Sequence, residues 1–525
     1  MDVDVVVAGA GPVGLLLACE LRLGGATVLV LERERATPAT RSGSMGARSV
    51  NAPSVHAFHL RGLLPAVERA AQMWIGPALV ADLDHVPVDE RPEFFVGHFA
   101  GIGIRAERLR PPDPGDEFLG AGVISQADLE AILEERATEL GAQIRRGSTL
   151  TGFDAAADGV TVHTDDGDVR AGWLVGADGG RSTVRRLAGF DFAGVDPVFT
   201  GRQAVVDLDA PEKLAVGGWQ QGANGAYTLG GWADGDGPPR VHTVEYDPPA
   251  DRDTPVTAAE MQASLRRVSG TDVRVTRLHL ATRYADTTRQ ATTYRLGRVL
   301  LCGDAAHVHS PAGGQGMNLG IGDAVNLGWK LGLVARGAAP EDLLDTYTSE
   351  RHPIGAWVQR WSMAQTALNT ARGPRADALR EVLTDLLDTP DGATYTVSRI
   401  SGAWQCYDLP GAHPLIGHRV PDLPLDDGTT FARHFRDGRA VLLDTGTGAA
   451  AVAAAWDGRV QIVNARPTAY PDQPMAALVR PDGYIAWIAV DGPDEEGLRR
   501  TLTTWLGAPG FSHVAGKPLS RHRSA

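Results

Sequence analysis

The sequence predicts a mixed α/β protein in which a parallel sheet is interrupted by an antiparallel one. Three strand-like runs, which begin near Asp4, Trp173 and Val299, each end in a glycine loop and lead into a helix, as in open parallel sheets. Between about residues 190 and 290, short alternating strands predict an antiparallel sheet instead. The chain of 525 residues exceeds one compact domain, and its length suggests roughly three units.

The first predicted unit has the order strand, glycine turn, helix, strand and acid. The strand Asp4–Ala8 leads into Gly9-Ala-Gly11-Pro12-Val13-Gly14, the helix Val13–Gly24 and the strand Val28–Glu32. This order is typical of a site for the ADP half of a dinucleotide. An ordinary βαβ unit with a glycine-rich turn is the alternative, but it does not require the acid at the end of the second strand.

Each glycine of this turn has a separate expected role. Gly9 permits the tight turn, Gly11 lets backbone amides approach a pyrophosphate, and Gly14 lets the helix pack close to the sheet. Glu32 would accept hydrogen bonds from the ribose hydroxyls, which argues against a 2′-phosphate there. Further along, Arg41 and Arg48 flank a glycine-interrupted segment; they are either solvated loop charges or contacts to a diphosphate or ring face.

The remaining elements follow from periodicity and from helix or turn signals. Ser125 and Asp128 form a capping box ahead of apolar residues at helical spacing. The tail from about Leu415 predicts a small α/β appendage with a hairpin at Met475–Val490. The other predicted elements are strands at Thr149–Phe153, Val160–Thr164, Arg202–Leu208, Ala226–Trp232 and Arg240–Tyr246, and helices at Leu319–Arg336, from Glu341 to about Leu387, at Ala449–Trp456 and at Gly497–Leu506.

Two later loops offer groups that suit a flavin. Asp304 follows the buried strand at Val299, at the end of a strand where ligands of open sheets bind, and its carboxylate could accept hydrogen bonds from ribityl hydroxyls. A helix cap or a salt-bridged turn is the alternative. The loop Pro311–Asn318 offers backbone amides ahead of a helix, whose positive end would stabilise an anionic reduced flavin; it could also be a plain connection.

Composition and charge exclude other classes of protein. Apolar content of 43% and charged content of 22% are ordinary for a globular protein. A net charge of −14 argues against nucleic-acid or anionic-membrane binding, and neither a signal peptide nor a bilayer-spanning run is visible. The three cysteines are far apart and form no CxxC pair, so we expect no metal site and a reducing cytoplasm.

These motifs together resemble the class A FAD-dependent aromatic monooxygenases of the p-hydroxybenzoate and phenol hydroxylase type. The matching segments are Gly9–Gly14, Gly176-Ala-Asp178-Gly179-Gly-Arg-Ser, and Gly303-Asp304-Ala-Ala-His307 with the loop Pro311–Asn318. The chain is most similar to the aromatic polyketide hydroxylases of actinomycete antibiotic pathways. The tail, with Arg480-Pro-Asp-Gly, resembles the thioredoxin-like C-terminal domain of that branch; because it lacks CxxC, packing or a dimer contact is its expected role.

The resemblance implies a full domain organisation and a set of cofactor contacts. A Rossmann-type FAD-binding domain (1–185, with an excursion at about 77–120, and again 291–400) is interleaved with an antiparallel-sheet substrate domain (186–290) and followed by the thioredoxin-like domain (410–525). FAD would be bound near its phosphates and ribityl chain by Arg41 and Gln126, and Leu150 would lie beside the adenine. The full set of implied cofactor residues is Gly9, Gly11, Pro12, Val13, Gly14, Glu32, Arg33, Arg41, Gln126, Leu150, Asp178, Asp304, Pro311, Gly314, Gly316, Met317 and Asn318.

The resemblance also implies the reaction. NADPH or NADH would reduce FAD, O2 would form a flavin C4a-hydroperoxide, and a multi-ring aromatic polyketide would be hydroxylated. Baeyer–Villiger oxygenation of a ketone and a flavin-binding protein that does not oxygenate are the alternatives. We name no obligatory acid or base, and we expect a monomer or homodimer. The candidate substrate residues are His98, Arg202, Trp219, Tyr227 and His242, although a histidine or tryptophan in such strands is more often a core or surface residue than a ligand.

Overall fold

The chain forms both helices and strands, in runs as well as in alternation. The computed structural model describes residues 1–75, 95–111, 120–230, 238–246, 254–469, 475–490, 492 and 494–509. In these parts the helices are α1 (Pro12–Leu23), α2 (Ala52–Leu60), α3 (Leu64–Ala70), α4 (Gln126–Glu139), α5 (Thr183–Ala188), α6 (Ala258–Ser269), α7 (Gly316–Ala335), α8 (Asp345–Thr370), α9 (Pro374–Leu387), α10 (Pro390–Ser401), α11 (Ala449–Ala453) and α12 (Glu495–Leu506).

The strands of the described residues fall into one large sheet and several smaller ones. In chain order they are β1 (Val3–Ala8), β2 (Val28–Glu32), β3 (Ala47–Val50), β4 (Met73–Ile75), β5 (Phe95–Phe99), β6 (Ile102–Arg105), β7 (Ala121–Ser125), β8 (Gln143–Arg146), β9 (Leu150–Ala156), β10 (Gly159–Thr164), β11 (Gly167–Gly176), β12 (Phe192–Val195), β13 (Thr200–Leu208), β14 (Gln220–Gly222), β15 (Gly225–Gly230), β16 (Arg240–Glu245), β17 (Val275–Ala285), β18 (Thr288–Ala291), β19 (Arg295–Leu296), β20 (Val299–Leu301), β21 (His307–Val308), β22 (Ala440–Asp444), β23 (Val460–Val463), β24 (Ala476–Val479) and β25 (Ile485–Ala489).

The large sheet brings distant parts of the chain side by side. Its order is β19-β20-β11-β1-β2-β8, and β1 is parallel to both β2 and β11, while β11 is parallel to β20. Val5, Val6 and Val7 in β1 are fully buried, as expected for a central strand covered on both faces. The carboxyl ends of β1, β11 and β20 therefore lie at one edge, and the three glycine loops begin there.

The antiparallel sheet forms a separate layer with its own core. Its order is β14-β15-β16-β13-β17, and helix α6 covers one face through Met261, Leu265 and Val268, which pack with Ala204 and Val241. Because side chains alternate along a strand, neighbouring residues face opposite sides of this sheet. Of the predicted strand Ala226–Trp232, residues 226–230 lie in β15, and Trp232 lies outside the described residues.

The C-terminal unit is a four-stranded sheet of order β23-β22-β24-β25. Strand β22 is parallel to β23 and antiparallel to β24, and β24–β25 is the predicted hairpin. Helices α11 and α12 pack against this sheet. The expected fold class is confirmed: a mixed α/β chain with a mainly parallel sheet, an antiparallel-sheet unit and a small α/β C-terminal unit.

The helix prediction needs correction at two points, and the predicted excursion at about 77–120 lies partly outside the described residues. The helical stretch predicted from Glu341 to about Leu387 is broken between α8 and α9, where Gly373 has φ +87°. Helix α10 was not predicted. Most of the predicted excursion at about 77–120 lies outside the described residues, apart from 95–111. Within the described ranges, no helix is long and apolar enough to cross a membrane.

Candidate flavin and substrate site

The first glycine turn is packed tightly against the loop that follows β11. A Cβ on Gly9 would lie 2.4 Å from the Ala177 carbonyl oxygen, and Gly9 has φ +109°. A Cβ on Gly14 would lie 2.0 Å from the Gly9 carbonyl oxygen, a distance that no side chain tolerates. Both glycines are therefore required for the first and second loops to pack against each other.

Gly11 differs from these two glycines because it borders open space. A Cβ on Gly11 would meet nothing within 4 Å, and Gly11 is the N-terminal cap of α1 with no side-chain hydrogen bond and Pro12 directly after it. The first amides of a helix and its positive end attract phosphate groups. The open space at this helix end fits a pyrophosphate.

Glu32 is fixed at the end of β2 by backbone amides. Its Oε2 accepts a hydrogen bond from the Ala10 amide at 2.9 Å, and its Oε1 accepts one from the Glu34 amide at 2.9 Å. The Ser148 amide donates to the Glu32 carbonyl, which brings the start of β9 at Leu150 to the same corner. Arg33, by contrast, is exposed and forms an ion pair with Glu34.

A buried carboxylate holds the predicted pair Arg41 and Gln126 together. Arg41 Nη1 lies 3.0 Å and Gln126 Nε2 lies 2.9 Å from the same oxygen of Glu130. Burial raises the pKa of Glu130, and the hydrogen bonds from Gln126 and Arg41 oppose this effect. Sequence reasoning missed Glu130; the signal was an acid beside Leu129 on the apolar side of α4, which requires a partner when buried.

Asp304 is the exposed member of an otherwise buried turn. Gly303, Ala305, Ala306 and His307 are buried, whereas Asp304 is exposed. Burial lowers the pKa of Arg48, and the negative charge of Asp304 opposes this shift. The Asp304 carboxylate is therefore available to a ligand at the end of β20.

The first and third loops meet at Val13. Cβ atoms built on Gly303 and Gly320 would lie 3.2 Å and 2.5 Å from Val13 side-chain carbons. A Cβ on Gly316 would lie 3.9 Å from Asp304 Oδ1. The glycines therefore let α1, the Asp304 turn and the start of α7 approach one another closely, and all three predicted loops converge on one region.

The loop ahead of α7 presents free helix amides to this region. The Leu319 amide is the first to donate to a carbonyl four residues back, that of Gln315, so the amides of Gly316, Met317 and Asn318 precede the helical hydrogen bonds. The Asn318 side chain holds the loop in place, since its Nδ2 donates to the Ser49 and Gly314 carbonyls at 2.9 and 3.1 Å. Pro311 and Gly314 are exposed at the loop surface.

Asp178 organises the second loop. Its Oδ2 accepts hydrogen bonds from the Thr183 and Val184 amides at 2.6 and 3.2 Å, and the Ser182 hydroxyl donates to Oδ1. The carboxylate thus satisfies amides at the start of α5. Its visible role is to fix the loop that packs on Gly9.

A second buried carboxylate, that of Asp323 on α7, fixes the Asp304 turn by hydrogen bonds to residues on either side of Asp304. It accepts hydrogen bonds from the Gly303 amide (3.1 Å), His307 Nε2 (2.7 Å) and Arg351 Nε (2.8 Å). Burial raises the pKa of Asp323, but His307 and Arg351 outweigh burial and lower it below its ordinary value. Sequence reasoning missed Asp323, because its partners come from three separate elements.

The five candidate substrate residues do not lie together. Arg202 and Tyr227 point to the face of the antiparallel sheet that α6 covers: Arg202 pairs with Glu245 and Glu260, and Tyr227 belongs to the α6 core. His98 lies in the separate β5–β6 hairpin, where its Nδ1 accepts from the Gly101 amide at 3.4 Å. Arg202 and Tyr227 are thus occupied by structural contacts in this layer.

Trp219 and His242 are the two candidates that the structure brings together. Their rings are 6.0 Å apart and nearly perpendicular. His242 shares its face of the sheet with Arg240, whose Nη1 donates to the Ser44 carbonyl, so this face meets the segment that carries Arg41, one of the implied cofactor residues. Burial, with a smaller contribution from Arg240, lowers the pKa of His242 to about 3, and its buried Nε2 has no partner among the described residues.

Comparison with known proteins matches nearly the whole chain. Residues 2–362 match the FAD binding domain family, and residues 413–509 match the family of aromatic-ring hydroxylase C-terminal domains. The chain is 42% identical to the 12-dehydrotetracycline 5-monooxygenase/anhydrotetracycline 6-monooxygenase of Streptomyces rimosus, over 97% of this chain and 100% of that one.

Two further relatives differ in what their names state. The solved structure of OxyS, the anhydrotetracycline hydroxylase of Streptomyces rimosus, superimposes with a TM-score of 0.82 at 39% identity, over 97% of this chain and all of the other. The dialkyldecalin synthase of Streptomyces rugosporus is 38% identical over 97% of this chain and 99% of that one. Since both family matches occur in order along the chain and a monooxygenase is 42% identical to it over nearly its whole length, this chain belongs to the family of FAD-dependent aromatic-ring monooxygenases.

Proposed function

We propose that the protein hydroxylates a multi-ring aromatic polyketide at the expense of NAD(P)H and O2, with FAD as its cofactor. In balanced form, the aromatic C–H, O2, NAD(P)H and a proton give the phenol, water and NAD(P)⁺. One oxygen atom enters the ring, and the other leaves as water after accepting two electrons from the nicotinamide.

One observation carries this proposal: the end of α1 at Gly11, the exposed Asp304 and the amides of Gly316 and Met317 border the same region. The first suits a pyrophosphate, the second ribityl hydroxyls, and the third the polar edge of a flavin ring. A single extended molecule with these three chemical parts accounts for all of them.

The protein's own groups would bind, orient and polarise rather than exchange protons. When bound, FAD supplies the redox chemistry, since it takes a hydride from NAD(P)H and activates O2 for transfer to the ring. The positive end of the twenty-residue helix α7 stabilises negative charge that develops beside it. His242 is neutral near pH 7, so it offers the substrate a hydrogen bond rather than a charge.

The substrate class follows from the layer that meets the segment carrying Arg41. Trp219 offers an aromatic surface and the buried His242 Nε2 an unpaired polar atom on that layer. A planar ring system with oxygen substituents matches both features. Relatives named for tetracycline intermediates support the same class of substrate.

The test uses purified protein loaded with FAD. We expect a yellow protein whose oxidation of NADPH or NADH accelerates with at least one tetracycline- or anthraquinone-type compound and yields a product one oxygen heavier. NMR separates the phenol from a ring-expanded ester, which would indicate Baeyer–Villiger oxygenation instead. A protein that stays colourless with added FAD would overturn the proposal.

A second candidate function has one observation in its favour. The 38% identity to a dialkyldecalin synthase shows a relative of this length whose name states a cyclisation product rather than an oxygenation. A yellow protein that neither consumes O2 nor oxidises NAD(P)H with any aromatic compound, yet changes a polyene substrate without a change of mass, would favour this candidate.

A further inference from the structure

Four nitrogen donors beside the proposed flavin site are buried without a hydrogen-bond partner. Among the described residues, these unpaired atoms are Trp361 Nε1, Gln365 Nε2, Arg399 Nε and Trp404 Nε1, and we call the four residues the donor cluster. Gln365 is 1% exposed, while the indole rings of the two tryptophans are half-buried.

Helix spacing and ring contacts place the donor cluster in a single wall, and a hydrogen bond to Ala100 fixes Gln365 in it. Trp361 and Gln365 lie one turn apart on α8, and the Gln365 side-chain oxygen accepts from the Ala100 amide at 3.1 Å. The ring of Trp357 lies 5.1 Å from that of Trp361 and 4.4 Å from that of Trp404. The Arg399 guanidinium lies 4.8 Å from the Trp404 ring centre.

This wall borders the loop that leads to α7. A Cβ on Gly313 would lie 3.0 Å from Gln365 Nε2, so the unpaired amide of Gln365 lies beside Gly313 of this loop. Gln315 Nε2 donates to the Ile400 carbonyl at 2.9 Å, and Ser362 Oγ donates to the Ser310 carbonyl at 3.1 Å. The loop is therefore anchored to α8, which carries Trp361 and Gln365, and to α10, which carries Arg399.

Buried donors without partners are rare in native proteins because each has lost its hydrogen bonds to water. All four unpaired atoms are N–H groups. Among the described residues, the Thr366 hydroxyl on α8, the Asn51 side-chain amide and His309 Nε2 are also buried and unpaired in this part of the structure. Whatever satisfies the cluster must therefore bring acceptors. The flat, partly exposed indole rings favour an aromatic ligand that stacks on them.

We propose that the donor cluster is a subsite that binds the carbonyl- or phenolate-bearing edge of the polycyclic aromatic substrate. This inference rests on the proposed function, because it assumes that the substrate binds beside the loop that leads to α7. The Gln365 amide and the indole N–H groups donate to substrate oxygens, and the rings of Trp361 and Trp404 pack on the substrate plane.

The test measures binding of 1,8-dihydroxyanthraquinone to the FAD-loaded protein, with anthracene as the same ring skeleton without acceptors. Gln365→Leu and Trp361→Phe each remove one donor and keep an apolar group of similar size. We expect each to raise the Kd for the quinone roughly 5- to 20-fold, as befits one lost buried hydrogen bond, and to leave the Kd for anthracene unchanged within about twofold.

Trp357→Phe is the matched control. Trp357 stacks in the same wall, but its indole nitrogen is not among the buried unpaired atoms. Its substitution should leave the quinone Kd within about twofold of wild type. FAD content and thermal midpoint identify any variant that fails to fold, in which case the remaining variants decide the outcome.

The outcomes separate this inference from the proposed function. Quinone binding that weakens in Gln365→Leu and Trp361→Phe supports the subsite even if no NAD(P)H oxidation is stimulated. Stimulated oxidation with a quinone Kd that is identical in all variants would overturn the subsite and leave the function standing. Absence of quinone binding, or equal losses in Trp361→Phe and Trp357→Phe, would also overturn it.

Discussion

Arg480 and Glu350 form a bidentate ion pair that is almost completely buried. Arg480 Nη1 and Nη2 lie 2.8 Å from Glu350 Oε1 and Oε2, and the two side chains are 1% and 5% exposed. Lys330 on α7 reaches the same carboxylate at 3.0 Å, and Asp482 pairs with Arg480 from its own turn. The Arg480-Pro-Asp-Gly turn thus ties the C-terminal unit to α7 and α8, the two helices beside the proposed flavin site.

Arg480→Ala is therefore expected to destabilise the whole protein. The substitution leaves Glu350 and Asp482 buried with one cation fewer, and loss of one partner of a buried pair costs about 3–5 kcal/mol of the free energy of unfolding. Arg500→Ala is the control, because its pair with Glu496 is exposed and should contribute less than about 1 kcal/mol. Urea unfolding measures both; equal effects would show that the pair is not important for stability.

Stability should fall as the solution becomes acidic, in part because of His56. Burial, with a smaller contribution from Arg419, lowers the pKa of His56 from 6.5 to about 3, while its Nε2 lies 2.9 Å from the Val420 carbonyl. Between these values only the unfolded chain binds the proton, so stability falls as pH drops from about 6.5 toward 3. One such group contributes a slope of about 1.4 kcal/mol per pH unit.

His56→Gln tests this slope because glutamine keeps a donor for the Val420 carbonyl and does not titrate. Urea unfolding between pH 6 and pH 4 should show a pH dependence weaker by about one proton than that of wild type. His418→Gln, at an exposed imidazole, should leave the slope unchanged. A wild-type slope in His56→Gln would show that His56 is not kept neutral by burial.

The loop positions could be predicted from the sequence because each depends on a local requirement of glycine. Gly9 and Gly14 leave no room for a side chain, and this constraint is visible as a glycine spacing. The hairpin at β24–β25 and the capping box at Ser125, where the Asp128 amide donates to Ser125 Oγ, were predictable for the same reason: both depend on residues close together in the sequence.

The contacts that could not be predicted depend on distant parts of the chain. Alternation shows that Arg202 and His242 lie on strands, but which face of the sheet α6 covers is decided by tertiary packing. Glu130 and Asp323 are carboxylates in buried positions, and only the fold reveals that Arg41 and Arg351 compensate them. The break at Gly373, by contrast, is marked in the sequence by the pair Gly373-Pro374, a turn signal that the prediction of one long helical stretch overlooked.

Asp304→Asn should weaken FAD binding without weakening the fold. The Asp304 carboxylate is exposed, and the turn around it is fixed by the hydrogen bond from the Gly303 amide to Asp323. The charge of Asp304 is therefore not needed for packing. Loss of a charge-assisted hydrogen bond to a ribityl hydroxyl should raise the FAD Kd roughly 10- to 100-fold. Asp158→Asn, at another exposed aspartate, is the control. Flavin fluorescence titration measures both, and an unchanged Kd would place the ribityl chain elsewhere.

Gly11→Ala is expected to separate cofactor binding from folding. Gly11 has φ −76° and ψ 177°, which alanine adopts freely, and its Cβ would meet no atom within 4 Å. The FAD-free protein should therefore unfold at the same urea concentration as wild type. If the pyrophosphate lies against the Gly11 backbone, the new methyl group occupies its position, and the FAD Kd should rise at least about tenfold.

Alanine substitutions at two other glycines are the controls for Gly11→Ala. Gly230→Ala on β15 also adds a methyl group to open space, but in the antiparallel sheet opposite Arg240 rather than at a helix end, and it should change neither stability nor the FAD Kd. Gly14→Ala should abolish folding, because its methyl group would overlap the Gly9 carbonyl oxygen. If Gly11→Ala binds FAD as tightly as Gly230→Ala does, the open space at the N-terminus of α1 does not hold the pyrophosphate. The three loops then do not bind one FAD molecule together.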